Sequence, residues 1–92
     1  MNRLEQYYTG DEEWKRFSDL YRNTTGSIIV SELENILKDR SVANVIAGIL
    51  GNSSIDWIYK KVPALDNLRP VDCMYDPALK KRLRTMLMRM DL

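Results

Sequence analysis

The chain has no histidine and a single cysteine, Cys73. Without histidine there is no imidazole base to activate a serine or cysteine and no imidazole to hold zinc. One cysteine excludes a disulfide framework within the chain and suits a reducing compartment. Cys73 also lacks a CxxC neighbour, so it reads as a small buried hydrophobe rather than a nucleophile. No serine sits in a GxSxG frame, and Ser53 and Ser54 read as helix caps. Gly51-Asn52-Ser53-Ser54 lacks the further glycines and the lysine of a phosphate loop. The acidic residues define no carboxylate pair. The longest apolar run, Val42 to Leu50, is broken by Asn44 and Gly48 and falls short of the roughly 18 residues of a membrane span. Nothing resembles a secretory leader. The expectation is a cytoplasmic protein without membrane segment, cofactor, metal or catalytic activity.

What is present is ordinary globular material. The chain has 92 residues, 45% hydrophobic and 29% charged, which points to one folded domain rather than a disordered tail. Net charge is only +1, but residues 1–50 carry six basic and eight acidic side chains and residues 51–92 carry eight and five. The C-terminal half is therefore the basic one, which is weak ground for a nucleic-acid partner.

Helical periodicity recurs along the chain. Trp14, Phe17, Leu20 and Tyr21 suggest one apolar face behind the acidic start Asp11-Glu12-Glu13. Ile28-Ile29-Val30 fits a helix or a short strand, with helix favoured, and Ser31 with Glu34 offers a capping box for a later start. Ser41 is placed to cap a helix whose core face is Val42, Val45, Ile46, Ile49 and Leu50. Gly51 ends that run in a position suited to positive φ. Asn52 or Ser53 caps a short helix bearing Ile55, Trp57, Ile58 and Val62, and Pro63 forces a turn after Val62. Ala64, Leu65 and Leu68 are expected to tuck into that turn. Pro70 suits a first helical turn, and Asp76-Pro77 is the clearest helix start in the chain. Leu79, Leu83, Met86, Leu87 and Met90 then line one side of a basic amphipathic helix, with Lys80-Lys81-Arg82 read as a solvated run. The predicted fold is all-α: a small single-domain bundle of about five or six short helices.

From about Ala43 onward, a set of these residues falls in a familiar order. Ile49-Leu50-Gly51 is followed by Trp57, Pro63-Ala64-Leu65, Arg69-Pro70-Val71-Asp72, and then Leu79, Leu83 and Leu87. This order resembles the toxin-binding domain of the Xre/MbcA/ParS-type antitoxins over roughly residues 43–90. Asp66-Asn67 stands where the family has a glycine-rich turn, and asparagine tolerates left-handed geometry. The chain ends Met90-Asp91-Leu92 rather than on the family's small, often glycine-ending terminus. Residues 1–42 form a helical region without a clear helix-turn-helix, and residues 43–92 form the antitoxin-like region.

The resemblance implies an antitoxin that binds and occludes a RES-domain toxin acting on NAD, itself performing no NAD chemistry. It makes Arg69, Arg84, Met88, Arg89, Asp91 and Leu92 the candidate toxin interface. Gly51, Trp57, Pro63, Leu65, Pro70, Asp76 and Pro77 are expected to shape the scaffold. Two alternatives stand beside it. One is a DNA-binding regulator of its own operon, and the other is an orphan homo-oligomeric helical protein. A homodimer is compatible with so small a core.

Overall fold

The computed structural model describes residues 4–22 and 27–90. Among them are six α-helical segments and three 3-10 turns, with no strand beyond one isolated bridge between Val62 and Leu68. The all-α expectation holds.

Helix α1 spans Asp11–Asp19, with Asp11, Glu12 and Glu13 in its first turn, where they complement the helix dipole. Trp14 and Ser18 are buried, Phe17 and Tyr21 half-buried. Leu20, expected on the same face, is 71% exposed. It lies about 120° around a 3.6-residue helix from Trp14, and Ser18 takes the inward position instead.

Helix α2 spans Ser27–Leu37, so Ile28-Ile29-Val30 is helical and the capping box at Ser31 is not its start. Val30, Leu33 and Leu37 face inward at helical spacing. The helix ends on Lys38, at φ +60, whose N–H bonds to the Glu34 carbonyl at 2.7 Å.

Helix α3, Arg40–Leu50, is the centre of the bundle. Val42, Ala43, Val45, Ile46 and Ala47 are all fully buried, as befits a helix apolar on nearly every side. Its cap is Asp39 rather than Ser41: the Asp39 carboxylate accepts from Val42 N at 3.1 Å. Ser41 is already in the first helical turn, where its hydroxyl serves neighbours instead. Gly51 closes the helix at φ +56 and ψ −127, a conformation open essentially to glycine alone.

A 3-10 turn, Gly51–Ser53, leads into α4, Ser54–Trp57. Neither Asn52 nor Ser53 caps it through a side chain. Ser54, fully buried, donates its hydroxyl toward Gly51 O at 2.7 Å and Ile46 O at 3.2 Å. Pro70 opens α5, Pro70–Cys73, and Pro77 opens α6, Pro77–Arg89. Asp76 caps α6 as its sequence position predicts, accepting from Ala78 N at 2.8 Å and Leu79 N at 3.1 Å.

Trp14, Val30, Leu33, Ile46, Ile58, Leu65, Leu83 and Leu87 belong to one continuous apolar cluster. One core therefore runs through both halves of the chain. The radius of gyration is 12.0 Å, close to the roughly 12 Å expected of a globular chain this long. The 3-10 turn Leu4–Tyr7 packs along α6. No helix among the described residues is long and apolar enough to cross a membrane.

Candidate interaction surface

No pocket opens among the described residues, and no group of three metal-ligating side chains could hold an ion there. The candidate site is therefore a surface, built from the C-terminal helix and from the loop that precedes α5.

The basic helix α6 turns much of its charge inward. Arg84 Nη2 donates to Asp39 Oδ2 at 3.0 Å, and Lys80 Nζ pairs with the same oxygen at 3.0 Å. Arg84 Nη1 donates to the Tyr8 hydroxyl at 3.1 Å, and Tyr8 donates in turn to Asp11 at 2.6 Å. The guanidinium also lies 5.2 Å from the centre of the Trp14 ring, a cation–π distance. Trp14 Nε1 donates to Ser41 Oγ at 2.9 Å, and Ser41 donates to Asp39 at 2.6 Å. One closed network thus joins the N-terminal arm, α1, α3 and α6. Burial favours the neutral form of Asp39, but the bonds from Ser41 and Val42 and the Lys80 ammonium outweigh it and hold the carboxyl down to about 2. Arg84 Nε is buried without a hydrogen-bond partner.

Arg82 is buried as well, and its Nη1 donates to Asp66 Oδ2 at 2.8 Å. The Lys80-Lys81-Arg82 run is therefore not a solvated face. Lys80 and Arg82 are used internally, and only Lys81 is exposed, 6.0 Å above the Tyr8 ring.

The loop between α4 and α5 is tightly defined. Val62 and Leu68 bridge through Val62 N–H to Leu68 O at 3.0 Å, with Pro63–Leu65 forming a 3-10 turn between them. Asp66 and Asn67 both adopt positive φ, at 57 and 64. The turn therefore forms with aspartate and asparagine where glycine is the cheapest residue. Leu65 is fully buried and Leu68 half-buried, whereas Ala64, expected inside, is exposed. Being small, Ala64 has little to gain from burial at the top of a turn.

The candidate interface residues are dispersed. Arg69 is exposed and forks onto Asp72 at 2.8 and 3.0 Å. The Asp72 hydrogen bond is the main cause of the upward shift of the guanidinium, and Arg69 lowers Asp72 in return. Arg84 is committed to the network just described, its side chain 16% exposed. Arg89 is exposed and sits 4.6 Å over the Tyr7 ring. Met88 is half-buried against the core. Asp91 and Leu92 lie outside the described residues.

The scaffold residues divide by role. Gly51, Pro70, Asp76 and Pro77 set backbone direction, and Leu65 and the half-buried Trp57 fill space. Pro63, exposed, opens the 3-10 turn. Cys73 is fully buried, and burial pushes its thiol up to about 11, with Arg82 opposing. Sequence reasoning missed Asp39 as the hub of the network. The available signal was its own capping chemistry, since aspartate three residues before Val42 serves as well as Ser41 does. It also passed over Tyr59-Lys60-Lys61, an exposed aromatic and two exposed cations next to the loop.

No protein-family model, curated protein or solved structure matches the chain.

Proposed function

We propose that this chain is an antitoxin-like protein-binding module that occludes a RES-domain toxin acting on NAD. The observation that carries the reading is the residue pattern from Ile49 to Asp72. Its glycine takes positive φ, its Asp66-Asn67 pair makes the left-handed turn, and its second proline opens a helix. These residues thus have backbone roles that account for their spacing.

In this reading the chain contributes surface and charge, and the toxin owns the chemistry. Of the candidate interface cations, Arg69 on the loop and Arg89 at the end of α6 are exposed. Arg84 acts one step back, as the residue that fixes α6 against α1 and α3. The cytoplasm is the proposed setting, in keeping with a lone buried cysteine.

The DNA-binding alternative rests on the basic C-terminal half. Lys80, Arg82 and Arg84 already face carboxylates of the same chain, which leaves α6 a poor phosphate track. Salt-dependent binding to its own upstream DNA, absent with scrambled DNA, would restore that alternative. A homo-oligomer is tested separately by solution mass.

The test of the main reading is co-expression with a RES-domain protein encoded beside this chain. A stable complex with suppressed NAD consumption supports it. Absence of binding, with both proteins folded, removes it.

A further inference from the structure

We propose that Tyr59, Lys60, Lys61 and Arg69 form one docking face for an acidic patch on a partner protein. The proposal rests on the protein-binding reading above and adds Tyr59, Lys60 and Lys61, which neither the motif nor the basic helix indicates, to the motif's Arg69.

Backbone hydrogen bonds assemble this face. Val62 N–H bonds to Leu68 O at 3.0 Å, and Val71 N–H bonds to Ile58 O at 3.1 Å. These two bonds tie both ends of the Tyr59-Lys60-Lys61 run to the segment that carries Arg69, and Tyr59 acts electrostatically on Arg69. Ile58, Leu65 and Pro70, all fully buried, anchor the two segments from below. Arg82 pins the loop tip through Asp66 at 2.8 Å. The face is thus presented on a fixed backbone, which limits the ordering cost of binding.

Its two lysines are not balanced from within. Asp72 is forked by Arg69 and Asp66 is held by Arg82. The side chains of Lys60 and Lys61 are exposed and form no hydrogen bond or ion pair with the other described residues. On α6, by contrast, Lys80, Arg82 and Arg84 meet carboxylates of the chain itself. Lys60 and Lys61 are therefore two adjacent exposed cations beside the loop that no carboxylate among the described residues pairs with. Tyr59, 47% exposed, adds an amphipathic ring of the kind enriched in protein interfaces. Two exposed lysines supply long-range attraction, while tyrosine and arginine supply short-range contact.

The mixed signs favour a protein over a nucleic acid. A phosphate backbone presents one sign along its whole length, whereas beyond Lys60 and Lys61 the face offers the Arg69–Asp72 and Arg82–Asp66 pairs, which add no net positive charge for it to follow. An acidic protein patch offers discrete carboxylates that can meet Lys60 and Lys61.

The test uses the full chain and the co-encoded RES-domain protein, with binding kinetics measured at two salt concentrations. The charge-reversed variant K60E/K61E is compared with K15E/R22E, which makes the same change in net charge at exposed positions in and just after α1. Both variants are checked for wild-type thermal unfolding. The expected result is about tenfold weaker binding by K60E/K61E, mostly through slower association and a flatter salt dependence, with K15E/R22E near wild type. Equal binding by K60E/K61E and wild type overturns the docking face and leaves the antitoxin reading intact. Equal loss in both variants reduces it to net charge and also overturns it. Failure of the unmodified chain to bind removes the antitoxin reading, and the docking face with it. Duplex DNA binding that depends on Lys60 and Lys61 would reassign the face to nucleic acid and overturn the proposal as stated.

Discussion

Arg84 on α6 donates to Asp39 at 3.0 Å, and the same carboxylate group caps α3. A single aspartate therefore carries both a local and a long-range task. It satisfies an orphan amide of the central helix and neutralises two cations of the final one. Separating those tasks gives a sharp test. Asp39→Asn keeps an oxygen for the cap but loses the charge, whereas Asp39→Ala loses both. Stranding a largely buried cation costs roughly 3 kcal/mol or more, and loss of the cap adds about 1 kcal/mol. Chemical denaturation should rank wild type above Asp39→Asn and Asp39→Ala lowest. Equal stability of the two variants would show that the cap contributes nothing.

The same carboxyl makes stability acid-sensitive. Its folded-state value, about 2, lies below its ordinary value of 3.8. A depressed acid stabilises the fold above its unfolded value and loses that contribution as pH falls through the folded one. The shift corresponds to about 2 kcal/mol near neutral pH. Wild-type stability should decline as pH falls from about 5 toward 2, with a smaller decline in Asp39→Asn. Parallel acid profiles for the two proteins would contradict this assignment.

Lys38 and Gly51 make opposite predictions about glycine. Lys38 ends α2 at φ +60, a region that L side chains enter at a cost. Lys38→Gly should raise stability by up to about 1 kcal/mol, the left-handed relief being offset in part by unfolded-chain entropy. At Gly51 a Cβ meets nothing within 4 Å, so space is not the constraint. Gly51→Ala should nevertheless lose about 1–3 kcal/mol, because its backbone sits where side chains rarely go. Thermal unfolding of the two variants reads both signs.

Cys73 is expected to be unreactive in the folded protein. It is fully buried and its thiol is pushed up to about 11. A thiol reagent at neutral pH should label it at the rate of unfolding, and promptly in denaturant. Fast labelling under native conditions would mean that the α5–α6 corner opens locally.

The sequence was most informative where a residue's effect is confined to its own backbone. Gly51, Pro70 and Asp76-Pro77 mark helix boundaries by steric and capping chemistry, and the fold uses each of them that way. Leu33, Ile46, Leu83 and Leu87 follow helical periodicity into the core. Periodicity failed at Leu20, where a serine takes the inward position, and at Ser41, where an equally good cap stood two residues earlier. The fate of the cations was not legible. Whether Arg84 points to water or to Asp39 depends on how α6 crosses α3, and Arg82 finds Asp66 only once the loop has folded. Tyr59, Lys60 and Lys61 escaped notice for the same reason, since the loop's return brings Arg69 beside them.

The most direct test of the account is binding to a co-encoded RES-domain protein, read together with the rate at which that protein consumes NAD. The account predicts a stable complex in which consumption falls as this chain is added, reaching its floor at the stoichiometry of the complex. Two folded proteins that neither associate nor alter NAD consumption would contradict it.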